Sequence, residues 1–246
     1  LAYECTHYMQ NRRKGKEGYA AVKLDMSKAY DRVEWHFLEK MMRKMGFNEQ
    51  WIDRIILCVT SVSYKVKVNG ECTDTIIPQR GFRHGDPLSP YLFLICVEGF
   101  SALLNAAEVD GSLRGIRICN DAPSFNHLLF ADDSLLFFQA SEQQAVLVKG
   151  LLNIYALATG QLINPAKCSI LFSESCLPAV VDEVKRILEI EQEVFEPKYL
   201  GLPMPEGRMN KGKFETVQDR LRKRLIDWSK QYMSSGNKEI LIKSVA

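Results

Sequence analysis

Apolar and polar positions follow two different periods along this chain. From Ala20 to Met26 they alternate, with Val22, Leu24 and Met26 on one side and Lys23 and Asp25 on the other. A period of two is that of a half-buried strand, here with Asp25 near its end. Further on the period lengthens: Val33, Phe37, Leu38, Met41, Met42 and Met45 make one helical stripe, and Gly46 suits its C-terminal cap. Asn48 is placed to cap a second helix through Trp51, Ile52, Ile55, Ile56 and Val59. Alternation returns at Tyr64, Val66 and Val68. Asn69-Gly70 then predicts a hairpin whose return strand, Cys72 to Ile77, is closed by Pro78.

Ser89 before Pro90 reads as an N-cap with proline at the first helical position. The helix it opens, to about Ala107, is apolar almost all round, which predicts deep packing. His127 to Phe138 is a pair of apolar runs broken by Asp132-Asp133, the pattern of a buried hairpin. Ser141 and Gln144 have capping-box spacing and open a helix to Thr159 that stops at Gly160. A short strand over Ser169 to Ser173, a helix over Val180 to Leu188 and an extended piece over Lys198 to Leu202 follow, then a basic helical pattern over Asn210 to Trp228. Residues 10–18 are polar and basic and read as a loop. Strands mixed with helices, and hairpins that pair antiparallel, predict an α+β fold with an antiparallel sheet and packed helices.

Composition narrows the picture without deciding function. With 246 residues, 46% hydrophobic and 25% charged, the chain is long enough to bury a sizeable core. A net charge of +2 does not by itself indicate nucleic acid, so that argument rests on local clusters. The seven cysteines are odd in number and form no C-x-x-C pair, as expected of reduced thiols in an intracellular protein. No apolar run reaches bilayer length and no membrane partner is expected.

The candidate chemistry lies in carboxylates. Asp25 ends one strand, and Asp132 and Asp133 sit at the turn of a hairpin between apolar runs. Adjacent like charges repel and partial burial adds to the cost, which a bound cation would offset. The plainer reading is that Asp-Asp merely turns the hairpin.

Five longer strings change that balance. LDMSKAYDRVEW (Leu24 to Trp35), GFRHGDPLSPYLF (Gly81 to Phe93), HLLFADDSLLF (His127 to Phe137), GQLINPAKCSILFS (Gly160 to Ser173) and KYLGLP (Lys198 to Pro203) occur in that order. Together they resemble the core motifs of reverse transcriptases of non-LTR (LINE-type) retrotransposons, in the form common in plant genomes. The resemblance implies a right-hand polymerase palm with partial fingers over residues 1–203 and the start of a thumb over 204–246. It implies an RNA-directed DNA polymerase that adds deoxynucleotides to a DNA primer on an RNA template. Two Mg²⁺ ions, or Mn²⁺ in their place, would be held by Asp25, Asp132, Asp133 and the carbonyl of Met26. Lys167 would protonate the departing pyrophosphate. Tyr30 would be the steric gate against ribose. Gly85, Asp86, Pro87 and Ser89 would line the nucleotide and template path, Gly85 by permitting close backbone approach. Tyr199, Leu200 and Gly201 would form the primer grip. Arg208, Lys211, Lys213, Arg220, Arg222, Lys223 and Arg224 would rest on nucleic-acid phosphates.

His84 departs from the resemblance, because the family carries Gln before Gly-Asp-Pro. A neutral imidazole offers one donor and one acceptor in a stiffer ring, which bears on nucleotide binding. The chain starts at Leu1 and ends at Ala246 inside a helical pattern. It is therefore expected to be a piece of a longer protein, without the upstream finger motifs and endonuclease, and nearly inactive by itself. The alternatives are an inactive relic with the polymerase fold, a viral RNA polymerase or intron maturase, and an RNA-binding module. Reverse transcription at a chromosome would require access to the nucleus, while oligomeric state is not legible in the sequence.

Overall fold

The computed structural model describes residues 1–12, 18–119, 122–131, 133–193 and 195, the backbone of 198–199 and 202–203, and helical residues 215 and 218–223. Asp132, Leu200 and Gly201 lie outside the described residues, as does most of the basic stretch after Arg208. Contacts divide the chain into two compact units, Leu1–Phe195 and Glu196–Ala246.

In chain order the elements are α1 (Ala2–Asn11), β1 (Tyr19–Leu24), β2 (Met26–Ser27), α2 (Trp35–Lys44), α3 (Glu49–Thr60), β3 (Lys67–Val68), β4 (Glu71–Cys72) and α4 (Ser89–Val109). Then come β5 (His127–Phe130), β6 (Asp133–Gln139), α5 (Glu142–Thr159), β7 (Leu162–Ile163), a 3₁₀ turn (Pro165–Lys167), β8 (Ser169–Phe172) and α6 (Pro178–Leu188). The second unit contains the short antiparallel pair β9 (Lys198–Tyr199) and β10 (Leu202–Pro203).

The main sheet runs β5-β6-β1-β8, with every neighbour antiparallel. Its central strands are buried on both faces, Ala20, Ala21, Val22 and Leu24 on β1 and Leu135 to Phe138 on β6. The half-buried strand expected from alternation is thus nearly fully covered, as a central strand requires. Phe100 and Leu104 of α4, Val148, Leu152 and Tyr155 of α5, and Val184 and Leu188 of α6 pack with Val22, Leu24, Leu136 and Phe138 in one apolar cluster. A second cluster joins Val33, Leu38 and Met42 to Ile52 and Ile55 of α3 and to Leu92, Phe93, Cys96 and Val97 of α4. Phe93 and Phe100 are each 1% exposed, and each such ring contributes about 1.5–3 kcal/mol by leaving water.

Local signals account for most element ends. The Asn48 side chain accepts from Gln50 N–H at 2.9 Å and caps α3. Ser141 caps α5 through Gln144 N–H, and Gly160 (φ 76°) closes it. The Gln144 side chain does not complete the box: it accepts from Arg114 N–H at 2.8 Å and donates to Ser112 O at 2.6 Å. Asn69 and Gly70, with φ 51° and 95°, turn β3 into β4.

Four expectations are corrected. Ser89 does not cap α4. Leu88 is already helical, its N–H is taken by the Asp86 carboxylate at 2.9 Å, and the Ser89 hydroxyl donates to Arg83 O. The α4 helix is not covered all round, because both clusters lie on one side and leave Tyr91 and Leu94 exposed. By length and composition α4 is also apolar enough to cross a membrane, contrary to the reading of the sequence. The hairpin arms at Tyr64, Val66 and Ile76 are exposed, so alternation there marks a protruding ribbon joined by the Tyr64–Ile76 bridge. The helix α1, with Cys5, Thr6 and Met9 buried, had no counterpart in the reading.

Candidate active site

The strand register assembles the site. The antiparallel pairing of β1 with β6 ends at Leu24 opposite Ser134. Continued one step, that register would set Asp25 opposite Asp133, the first residue of β6. Opposed residues of antiparallel strands share a face, so in that continuation both would lie on the face opposite Leu24. Both are half-buried. On the other side of Asp133 the ladder pairs it with Phe130, across a tight turn whose Ala131 has φ 51°. Asp132 lies outside the described residues.

Asp25 is fastened by its backbone. Its N–H donates to Cys168 Sγ at 3.3 Å, and its carbonyl accepts from Asn164 N–H at 3.0 Å. These bonds bring the Pro165–Lys167 turn beside Asp25, and Lys167 leaves that turn exposed to solvent. Burial pushes the Cys168 thiol up from its ordinary pKa, so it stays neutral next to the carboxylate. Met26 begins β2, which pairs with β7 at Ile163. Buried Gln161 donates to Ala29 O at 2.8 Å and ties the following turn to the same segment.

A second group of predicted residues gathers around Tyr30. Its ring stacks on Phe93, centroids 4.6 Å apart, and lies 5.8 Å from the tilted His84 ring. One face of the Tyr30 ring is thus held in the core by Phe93. Tyr30 O accepts from Phe82 N–H at 2.9 Å, and Val33 O from Gly81 N–H at 2.8 Å, which clamps the first motif to the second. Gly85 has φ 81°, and no protein atom lies within 4 Å of where a Cβ would be. Among the described residues glycine is thus required there by backbone conformation, not by a close protein neighbour. Asp31, His84 and Asp86 line a cleft of about 410 Å³ with Arg80, Arg83 and Tyr64.

Two contributors had no signal in the periodicity. Cys168 read only as a reduced thiol, yet it accepts from the Asp25 backbone. Asp31 was part of the first motif without a role, yet its Oδ1 lies 3.0 Å from His84 Nε2. Tyr199 lies in β9 of the second unit. Among the described residues no three His, Cys, Asp or Glu side chains gather to hold a metal.

Comparison with known proteins gives these motifs a family. Residues 3–204 match the reverse transcriptase (RNA-dependent DNA polymerase) family. The chain is 30% identical over 206 residues to the Pol polyprotein of the type-1 retrotransposable element R2 of Popillia japonica, covering 80% of the chain and 32% of that protein. It is 29% identical over 185 residues to a 149 kDa protein of transposon TX1 of Xenopus laevis, covering 74% and 13% respectively. Over 67 residues, 27% of the chain, it is 52% identical to an uncharacterized mitochondrial protein of Arabidopsis thaliana, of which it spans 55%. The chain thus spans about half of the last of these relatives and a third or less of the other two. The telomerase structure of Candida tropicalis shares the fold, with TM-score 0.51 and 14% identity over 87% of this chain and 35% of that one. The chain belongs to the reverse transcriptase (RNA-dependent DNA polymerase) family and has non-LTR retrotransposon relatives.

Proposed function

We propose that this chain is the polymerase module of a non-LTR retrotransposon of the plant type, copying RNA into DNA. The observation that carries the reading is the register that sets Asp25 beside Asp133 at neighbouring strand ends. Paired carboxylates on one face fit divalent cations, because Mg²⁺ takes oxygen ligands and like charges so placed are relieved by a cation. Asp25, Asp132, Asp133 and the Met26 carbonyl would hold the ions. Bound Mg²⁺, or Mn²⁺, supplies charge neutralisation at the transferred phosphate and lowers the pKa of the attacking hydroxyl.

The protein's own residues do the rest by position. Tyr30, stacked on Phe93, occupies space beside the sugar and disfavours a 2′-hydroxyl. His84, Gly85 and Asp86 border the nucleotide. Lys167, carried on the turn fastened to Asp25, delivers a proton to the departing pyrophosphate. Tyr199, Leu200 and Gly201 hold the primer 3′-end. Residues 1–203 act as palm with partial fingers and 204–246 as the start of the thumb, where Arg220, Arg222 and Lys223 meet phosphates of the RNA–DNA hybrid. The Arabidopsis likeness supports the plant type, and work on chromosomal DNA calls for nuclear access.

Primer extension on an RNA template with deoxynucleotides tests the reading, using the chain within its natural flanking sequence. Extension that needs Mg²⁺ and disappears in Asp25→Asn is expected. Folded protein that extends no primer, or extends it equally well as Asp25→Asn, would leave only an RNA-binding relic.

A further inference from the structure

His84 is held by a partner 53 positions away in sequence. Its Nε2 lies 3.0 Å from Asp31 Oδ1. A carboxylate only accepts, so Nε2 must carry the proton. In the neutral ring this leaves Nδ1 as the acceptor. Both partners are exposed, His84 by 75% and Asp31 by 46%, and such a pair contributes little to folding stability. The scaffold beneath it is nonetheless stiff. Asp31 N–H donates to Lys28 O at 3.0 Å, and Lys28 takes the left-handed φ of 52° that turns the chain there. A Cβ on Gly81 would stand 2.5 Å from Asp31 O, so the second motif lies directly on the Asp31 backbone. On its other side the His84 ring faces Tyr30, itself stacked on the buried Phe93. An exposed ring is thus fixed in orientation by a carboxylate and an aromatic, each anchored to rigid backbone.

We infer that Asp31 is a positioning residue, which fixes His84 with Nε2 protonated so that Nδ1 accepts a hydrogen bond from the sugar hydroxyl of an incoming deoxynucleotide. The inference rests on reading this cleft as the nucleotide site of a polymerase. Gln at position 84 would need no such help, because its amide carries donor and acceptor together. With Nε2–H held by Asp31, the pair presents one defined acceptor, Nδ1, where Gln would present donor and acceptor together.

Single-nucleotide incorporation and ¹⁵N-histidine spectra test this, on the chain within its natural flanking sequence. Asp31→Ala is expected to raise the KM for deoxynucleotide about fivefold, the scale of one hydrogen bond between neutral groups, with kcat within about twofold. Asp31→Asn, whose amide oxygen still accepts, is expected to recover most of that loss. In a His84→Gln background Asp31→Ala is expected to change KM by less than about twofold, since coupled residues are not additive. The histidine spectra should show one tautomer for His84, protonated at Nε2, and a mixture in Asp31→Ala. An equal rise in KM in both backgrounds, or the same tautomer mixture with and without Asp31, would overturn the inference. Absence of any Asp25-dependent incorporation would instead overturn the polymerase reading, while the spectra would still decide whether Asp31 sets the His84 tautomer.

Discussion

At the scale of single residues, the site combines like charges, a neutral thiol and backbone conformations that few side chains tolerate. Asp25 and Asp133 stand at neighbouring strand ends, and a cation that bound both would stabilise the fold by mass action. Thermal melting with and without about 10 mM Mg²⁺, a large excess over a weak site, is expected to raise the Tm of the wild type and to move that of Asp25→Asn little. Equal shifts in both would place the bound cation elsewhere. Gly85 and Gly81 separate two reasons for glycine. Gly85 has φ 81° and open space, so Gly85→Ala should cost about 1–2 kcal/mol, from the left-handed backbone alone. Gly81 has φ 85° and would drive a Cβ into Asp31, so Gly81→Ala should cost about 3 kcal/mol or more by chemical denaturation. Much of this scale was hidden from the sequence. Alternation placed Asp25 at a strand end, but only the resemblance gave it a role. The hydrogen bond from Asp25 N–H to Cys168, by contrast, spans 143 positions and depends on a sheet register that periodicity does not fix. Asp31 and His84 meet only because two turns with positive φ bring them together.

At the scale of elements, strong local signals were legible and weak ones were not. The Asn48 cap of α3, the Asn69-Gly70 turn and the Ser141 cap of α5 stand where the pattern placed them, because each rests on neighbours in sequence, while of the α2 stripe Leu38 and Met42 are buried, Val33 precedes the helix and Met45 follows it exposed. Asn48→Ala should therefore cost about 1 kcal/mol, read as a lower Tm with no change in the shape of the transition. Ser89 does not cap α4: Leu88 holds the N-cap position without a side-chain cap, and its own N–H is bonded to the Asp86 carboxylate in the preceding turn. The junction of α4 with β5 carries a titratable group. His127 Nε2 lies 2.9 Å from Ser101 Oγ, its Nδ1 faces Asn126 Oδ1, and Asn126 Nδ2 donates to Glu108 at 2.6 Å. Burial lowers the pKa of His127 below the ordinary 6.5, and the fields of Glu108 and Glu98 oppose that only in part. The unfolded chain then binds the proton more readily, so this contribution to stability is present above about pH 6.5 and lost as pH falls through the lower folded value. Tm should fall between about pH 7.5 and 5.5, and His127→Gln should flatten that dependence. An unchanged slope in the variant would show that other groups govern acid stability.

At the scale of the whole molecule, an antiparallel four-stranded sheet covered by α4, α5 and α6 sets two carboxylates at adjacent strand ends, while α2, α3 and the start of α4 build a second core that includes Phe82 of the second motif. The class of fold was legible because hairpin signals and helical stripes alternate along the chain. The pairing order β5-β6-β1-β8 was not, since β1 meets strands more than a hundred positions distant and no local signal records which edges join. What brought the site forward from the sequence was the resemblance of five motifs, and residues 3–204 match the family they indicated. Whether Asp25 and Asp133 work as one unit is measured by single-turnover incorporation of a deoxynucleotide on an RNA template. If both carboxylates hold the same ions, Asp25→Asn and Asp133→Asn should each slow incorporation about a thousandfold, several kcal/mol of barrier, and the double variant should be hardly slower than either. An Asp133→Asn variant that keeps the wild-type rate, or losses that multiply in the double variant, would contradict it.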